Sequence, residues 1–198
     1  MKDKEITYYD LNAKAFIEST LNANMKEHYD KFLAYIPPNG SILDAGCGSG
    51  RDTKNFLDLG YAVEAFDNSA EMVKFATQLT GIKVMQHDFT SIHYNEKFDG
   101  IWACASLLHV SSKDLIEILI KYKSILKTNG VIYMSFKYGT DHYEENGREF
   151  YCYTESAIQR IIHHIGDYDV SDIYVTSDVR DERTGEKWIS IIIRIMND

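Results

Sequence analysis

The sequence predicts an α/β protein whose mainly parallel, doubly wound sheet is covered by helices on both faces. Three observations carry this. From residue 41 onward short apolar runs alternate with stretches of helical periodicity, and a glycine-rich turn joins the first such strand to the next helix. At 198 residues the chain can bury a full central sheet within one domain. Hydrophobic residues at 44% and charged residues at 26% are ordinary for a globular protein and exclude a disordered chain.

Each element has its own signal. From Tyr8 to about Ile36, Phe16, Leu21, Met25, Tyr29, Phe32 and Leu33 recur at helical spacing until Pro37-Pro38-Asn39-Gly40 stops the pattern, which predicts two helices ahead of the sheet. Ser41–Ala45 reads as a strand, Arg51–Leu59 as a helix and Ala62–Phe66 as a second strand, which together make a β-α-β unit. The alternation continues through a helix at Ala70–Leu79, strands at Ile82–Gln86 and Phe98–Ala103, a helix at Lys113–Leu126 and a strand at Val131–Phe136. Strands interleaved with helices imply right-handed crossovers and a parallel sheet. Tyr138–Tyr153, rich in Gly, Asp, Glu and Tyr, reads as a loop, followed by a helix at Glu155–His164. Asp172–Thr176 and Trp188–Ile195 are strand-like, and the charged turn Asp178–Glu186 between them suits an antiparallel pair at the sheet edge.

The charge balance of 21 basic against 30 acidic residues leaves a net charge of −9, which disfavours nucleic acid and anionic membrane as partners and favours a small molecule. The charged start Met1–Glu5 lacks the apolar core of a secretory signal, so a cytoplasmic protein is expected, and nothing in the sequence calls for more than a monomer. Cys47, Cys104 and Cys152 are far apart and odd in number, and His163-His164 are adjacent instead of four apart, so neither a disulfide framework nor a bound metal is expected.

The strongest chemical signal is Asp44-Ala45-Gly46-Cys47-Gly48-Ser49-Gly50-Arg51. Glycines at 46, 48 and 50 let the backbone turn tightly beyond the carboxyl end of a strand, where open α/β sheets bind ligands. A dinucleotide fingerprint needs glycine at position 51, and Arg51 stands there, which weakens a nicotinamide reading. The segment Ile42–Arg51 resembles the nucleoside-binding loop of class I S-adenosylmethionine-dependent methyltransferases. The resemblance extends to Asp67 at the end of the second strand, to His87-Asp88-Phe89 after the third, to Phe98–Val110 around the fourth and to Leu126–Ile132 before the fifth. The small tellurite-resistance-type methyltransferases, which begin with a helical lid bearing Tyr and Asn, look most similar, and Tyr8, Tyr9 and Asn12 match that lid.

The resemblance implies a seven-stranded Rossmann-like sheet with an antiparallel edge strand, S-adenosylmethionine as cofactor and S-adenosylhomocysteine as product. Residues 1–38 become a lid, 39–136 the cofactor-binding core and 137–198 the acceptor side. It assigns the cofactor to Asp44, Gly46, Cys47, Gly48, Gly50, Arg51, Asp67, Asn68, Met72, Asp88, Phe89 and Ala103, with Asp67 on the ribose hydroxyls, Asn68 and Met72 beside the adenine, and Asp88 on its amino group. Asn129-Gly130 departs from the usual Pro-Gly or Gly-Gly of the family, and no motif after Phe136 defines an acceptor.

His109, just beyond the fourth strand, is the candidate base for an acceptor that must lose a proton; its leucine-flanked setting equally suits a packing residue. Tyr8, Lys137, Tyr138 and Arg180 are the acceptor-side candidates, together with Tyr143, Arg148 and Tyr151, and a cation among them would favour an anionic acceptor. An RNA or protein acceptor would need a basic or aromatic groove that the linear sequence does not display. A non-catalytic binder of the cofactor or its product is the remaining alternative, since a fold and a loop do not prove catalysis.

Overall fold

The structure is a computed structural model that describes residues 8–95, 97–180, 183 and 185–196. The charged Met1–Glu5 segment and part of the Asp178–Glu186 turn lie outside the described residues. Residues 8–11 are helical and lead into α1 (Ala13–Thr20) and α2 (Lys26–Leu33). The alternating body follows as β1 (Ser41–Ala45), α3 (Arg51–Asp58), β2 (Ala62–Asp67), α4 (Ala70–Thr80), β3 (Met85–Gln86), β4 (Phe98–Ala103), α5 (Ser112–Ile125) and β5 (Leu126–Lys137). Beyond it come β6 (His142–Glu145), β7 (Arg148–Tyr151), α6 (Glu155–Ile165), β8 (Tyr168–Ser177) and β9 (Lys187–Ile195).

Seven of these strands form one sheet in the order β3-β2-β1-β4-β5-β9-β8. The pairings from β3 to β5 are parallel, whereas β9 runs antiparallel to both β5 and β8. The two-residue period of a strand sorts its side chains between the two faces. Leu43, Ile101, Ala103, Ile132, Met134, Ile191 and Ile193 point toward α5 and α6, where they meet Leu115, Leu119, Tyr122, Ile158 and Ile162. Ile42, Trp102, Val131, Tyr133 and Ile192 point the other way and pack on Phe32 of α2 and Phe56 of α3. Trp102 is fully buried and stacks on Tyr133 at 3.9 Å between ring centroids, so it is core.

Helix ends follow their capping residues. Ser69 accepts the Met72 N–H at the start of α4 and Gly81 closes that helix in the left-handed region; Thr154 and Gly166 do the same for α6.

Four segments differ from the sequence reading. The strand expected at Ile82–Gln86 is reduced to Met85–Gln86, because the Ile82 and Val84 N–H groups turn back to the Thr80 and Thr77 hydroxyls instead of joining the sheet. β5 begins at Leu126 instead of Val131, with a register shift in its pairing to β4 between Phe98 and Gly100. β8 begins at Tyr168 instead of Asp172, its pairing with β9 extending to Tyr168 opposite Ile195 across a register shift between Val170 and Asp172. The expected loop Tyr138–Tyr153 contains the antiparallel hairpin β6–β7, with His142 opposite Tyr151 and Glu145 opposite Arg148. Its tip is Asn146-Gly147, both with positive φ, the geometry of the favoured two-residue hairpin turn.

Candidate active site

The chemistry-bearing residues gather beyond the carboxyl ends of β1, β2 and β4. The N–H groups of Gly46 and Cys47 both reach the Phe66 carbonyl at 2.9 Å, which ties the glycine loop to the end of β2. Gly46 has φ +76°, and a Cβ there would stand 2.6 Å from the Ser106 Cβ, so the loop depends on a bare backbone at this position. Gly48 faces open space, with only a Phe16 ring carbon at 3.5 Å.

Asp67 terminates β2 and turns toward this loop. One of its oxygens accepts the Gly48 N–H and the other the Ser69 N–H, each at 2.9 Å. Burial raises the Asp67 carboxyl above its ordinary range, while these backbone donors pull it back. On the far side, Asp88 accepts the N–H groups of Thr90 and Ser91 at 2.7 and 2.8 Å, and Phe89 packs edge-on against Phe66.

Beneath the loop lies a buried ionic network. Arg51 donates Nε and Nη2 to the two oxygens of Asp52 at 2.6 and 2.9 Å, and Nη1 to the Thr20 carbonyl at the end of α1 at 3.1 Å. Tyr29 and the Trp102 indole also donate to Asp52. Burial opposes ionisation of Asp52, but Arg51 and these donors outweigh it and hold the carboxyl below the usual range. Asp44 goes the opposite way: burial, and then the negative charge of Asp52, raise its pKa, and its oxygen accepts the Thr53 hydroxyl at 2.6 Å.

His109 sits at the junction of two cavities. Its Nδ1–H donates to the Glu149 carbonyl at 2.6 Å, which leaves the Nε2 lone pair to accept the Tyr9 hydroxyl at 2.9 Å. Burial lowers its pKa to about 4, so the ring is neutral at physiological pH. The amino-terminal helical segment is fastened twice more, by the Ser69 hydroxyl donating to Asp10 and by the Arg51 bond to Thr20.

One cavity, of about 120 Å³, lies over the glycine loop, and a larger one of about 350 Å³ lies between the amino-terminal helices, the β6–β7 hairpin and the ends of β8 and β9. Tyr9, Phe16, Thr20, Arg51, Cys104, Ala105 and His109 border both, so the two compartments share a wall. Gly46, Cys47, Gly48, Arg51, Asp67, Asn68, Met72, Asp88 and Phe89 all line the smaller one. Asp44, Gly50 and Ala103 line neither: Asp44 and Ala103 are buried beneath the loop, and Gly50 packs against Ala76 of α4. Tyr8, Lys137 and Arg180 line the larger cavity, whereas Tyr138 projects outward at 38% exposure.

Some lining residues had not been singled out by sequence. Asp52, Ser106, Tyr133 and Ser190 come from four different elements or turns, and their recruitment has no local signature. Burial pushes the Cys104 thiol up to about 12 and raises Cys47 as well, so neither is a ready thiolate nucleophile. Among the described residues no helix is long and apolar enough to cross a membrane, and no three His, Cys, Asp or Glu side chains converge as a metal site.

A doubly wound sheet with a glycine loop and a carboxylate at neighbouring strand tips defines a Rossmann-like fold, here with a second compartment across one wall of the cavity over the loop. Residues 42–130 match the methyltransferase domain family. YqeM of Bacillus subtilis (strain 168), whose name assigns it provisionally to the methyltransferases, is 32% identical over 124 residues, covering 55% of this chain and 50% of that protein. The chain thus spans about half the length of that relative. An uncharacterized methyltransferase of Geobacillus thermodenitrificans is 27% identical over 156 residues, or 76% of this chain and 70% of its own.

Among solved structures, the Burkholderia thailandensis 1,6-didemethyltoxoflavin-N1-methyltransferase, with bound 1,6-didemethyltoxoflavin and S-adenosylhomocysteine, superposes with a TM-score of 0.78 at 18% identity. That match covers 98% of this chain and 86% of the other. The magnesium protoporphyrin IX methyltransferase of Synechocystis PCC 6803, with bound S-adenosylmethionine, gives a TM-score of 0.73 at 16% identity, covering 99% and 98%. Residues 42–130 are thus similar to methyltransferase domains, and the fold as a whole is similar to that of these two methyltransferases.

Proposed function

We propose that this chain, acting as one domain, is an S-adenosylmethionine-dependent methyltransferase for a small-molecule acceptor. One observation carries the reading: the glycine loop and Asp67 face a compartment that shares the His109–Tyr9 wall with a second, larger one. The residues fit the cofactor. Gly48 presents no side chain toward the smaller cavity, and the Asp67 oxygens, already oriented by two backbone N–H groups, retain lone pairs for ribose hydroxyls. Asn68 and Met72 would flank the adenine, Asp88 would take its amino group and Phe89 would cover the ring. Arg51, its charge matched by Asp52, ties the amino-terminal helix to the loop through the Thr20 carbonyl.

When bound, the sulfonium donor supplies an electrophilic methyl group. The chain's task is to align the acceptor with it and exclude water, and the amino-terminal helices covering both cavities serve that end. His109 is neutral and offers Nε2, so an acceptor's O–H or N–H can replace the Tyr9 hydroxyl as its donor and be oriented there. The larger cavity, covered by the lid and the hairpin, favours a small acceptor over RNA or protein.

Calorimetry with S-adenosylhomocysteine and, separately, with a nicotinamide dinucleotide tests the reading. Stoichiometric binding of the first and none of the second is expected, followed by transfer of labelled methyl in an acceptor screen. A purified, folded chain with no affinity for S-adenosylhomocysteine would overturn it.

A further inference from the structure

The charged side chains lining the larger cavity are unequal. Arg51 is paired with Asp52, Arg180 with Asp178 at 2.6 Å, and Lys137 with Glu186 at 3.0 Å, while Arg183 approaches the same Glu186 at 3.5 Å. Arg148 has no carboxylate partner among the described residues. Glu145 stands opposite it in the hairpin register but is exposed and forms no ion pair with it among those residues. The Arg148 guanidinium instead lies on aromatic rings, 3.7 Å from the centroid of Tyr8, 5.0 Å from Phe150 and 5.7 Å from Tyr9. Its Nε is buried without a hydrogen-bond partner.

A buried, unsatisfied donor on a cation is costly unless a ligand completes it. A guanidinium that stacks by its face keeps its N–H groups in its plane, the arrangement that binds a carboxylate through two parallel hydrogen bonds. The chain as a whole carries a net charge of −9, so an arginine inside the cavity without a carboxylate partner among the described residues is a selective feature. The rings of Tyr8, Phe16, Tyr133, Phe150 and Trp188 line the same space and suit a flat, conjugated frame. Tyr9, beside Arg148, donates to His109 on the wall shared with the smaller cavity. The anion site and the junction are therefore about one aromatic ring apart.

Resting on the methyltransferase reading, we infer that the acceptor is a small aromatic carboxylate, its carboxylate held by Arg148 and its nucleophilic substituent directed to the Tyr9–His109 wall. Arg148 is then the residue that selects the acceptor by charge.

The test uses the whole chain loaded with S-adenosylhomocysteine, and the probes are salicylate, anthranilate, picolinate and quinaldate, each beside its carboxamide. Calorimetry should show one or more acids binding at least about tenfold more tightly than the matching amide. Arg148→Gln should weaken that acid about ten- to a hundredfold with S-adenosylhomocysteine affinity unchanged, and Arg148→Lys should restore part of the loss. Amides that bind as well as their acids, acids that bind Arg148→Gln as tightly as the parent, or no acid binding to protein that does bind S-adenosylhomocysteine would each overturn the inference and leave the methyltransferase reading standing. Loss of S-adenosylhomocysteine binding in the parent chain would remove both.

Discussion

Replacing Gly46 by Ala imposes two separable costs. The backbone at Gly46 has φ +76°, where a Cβ clashes with the chain and costs about 1–2 kcal/mol. The new methyl would also stand 2.6 Å from the Ser106 Cβ and 3.1 Å from the Phe89 ring, and such overpacking adds about 1–3 kcal/mol. Gly81 isolates the first cost, having the same φ of +76° with no atom within 4 Å of an added methyl, so Gly81→Ala should lose only about 1–2 kcal/mol. At Gly48 the φ is +53° and the nearest contact an ordinary 3.5 Å, so Gly48→Ala should resemble Gly81→Ala in stability yet lose S-adenosylhomocysteine affinity, because its methyl enters the cavity. Urea unfolding followed by the fluorescence of Trp102 and Trp188 measures the first set of effects, and calorimetry the second. A Gly46→Ala protein no less stable than Gly81→Ala would refute the close approach of loop and Ser106 on which the site is built.

Asp67→Ala should weaken S-adenosylhomocysteine binding about ten- to a hundredfold while far-ultraviolet dichroism stays native; unchanged affinity would remove the ribose assignment. His109 predicts a pH dependence. Its folded pKa of about 4 lies below the roughly 6.5 of an unfolded histidine, so as pH falls the unfolded chain takes up a proton that the folded one refuses. The parent should therefore lose about 3 kcal/mol from this group between neutral pH and about pH 4, and no more below it. His109→Gln should lack that component, and a stability difference between the two proteins that does not vary with pH would contradict the burial of a neutral imidazole.

The alternation of apolar runs and helical periods was enough to read β1 through β5 in order, because both periods are local properties of a strand or helix. The glycine spacing likewise exposed the loop, and Asp67 followed because one β-α-β step carries the chain to the neighbouring strand tip. The β6–β7 hairpin had its own sign in Asn146-Gly147, masked by flanks rich in acidic and polar residues. Asp44 shows where adjacency misleads: it precedes the loop in sequence, but its position in β1 sends its side chain to Thr53, away from the cavity.

The amino-acid order alone thus marked the order of the main strands and helices, though not the β6–β7 hairpin or every strand boundary, since periodicity and left-handed glycines act through a residue's nearest neighbours. Only the tertiary structure decided which side chains share a cavity. Tyr9 meets His109 across 100 residues, Trp102 meets Asp52 across 50, and Arg148 reaches Tyr8 and Tyr9 of the amino-terminal helical segment from the separate β6–β7 hairpin. Those meetings depend on how separate elements pack, and packing leaves no mark in the local spacing of residues.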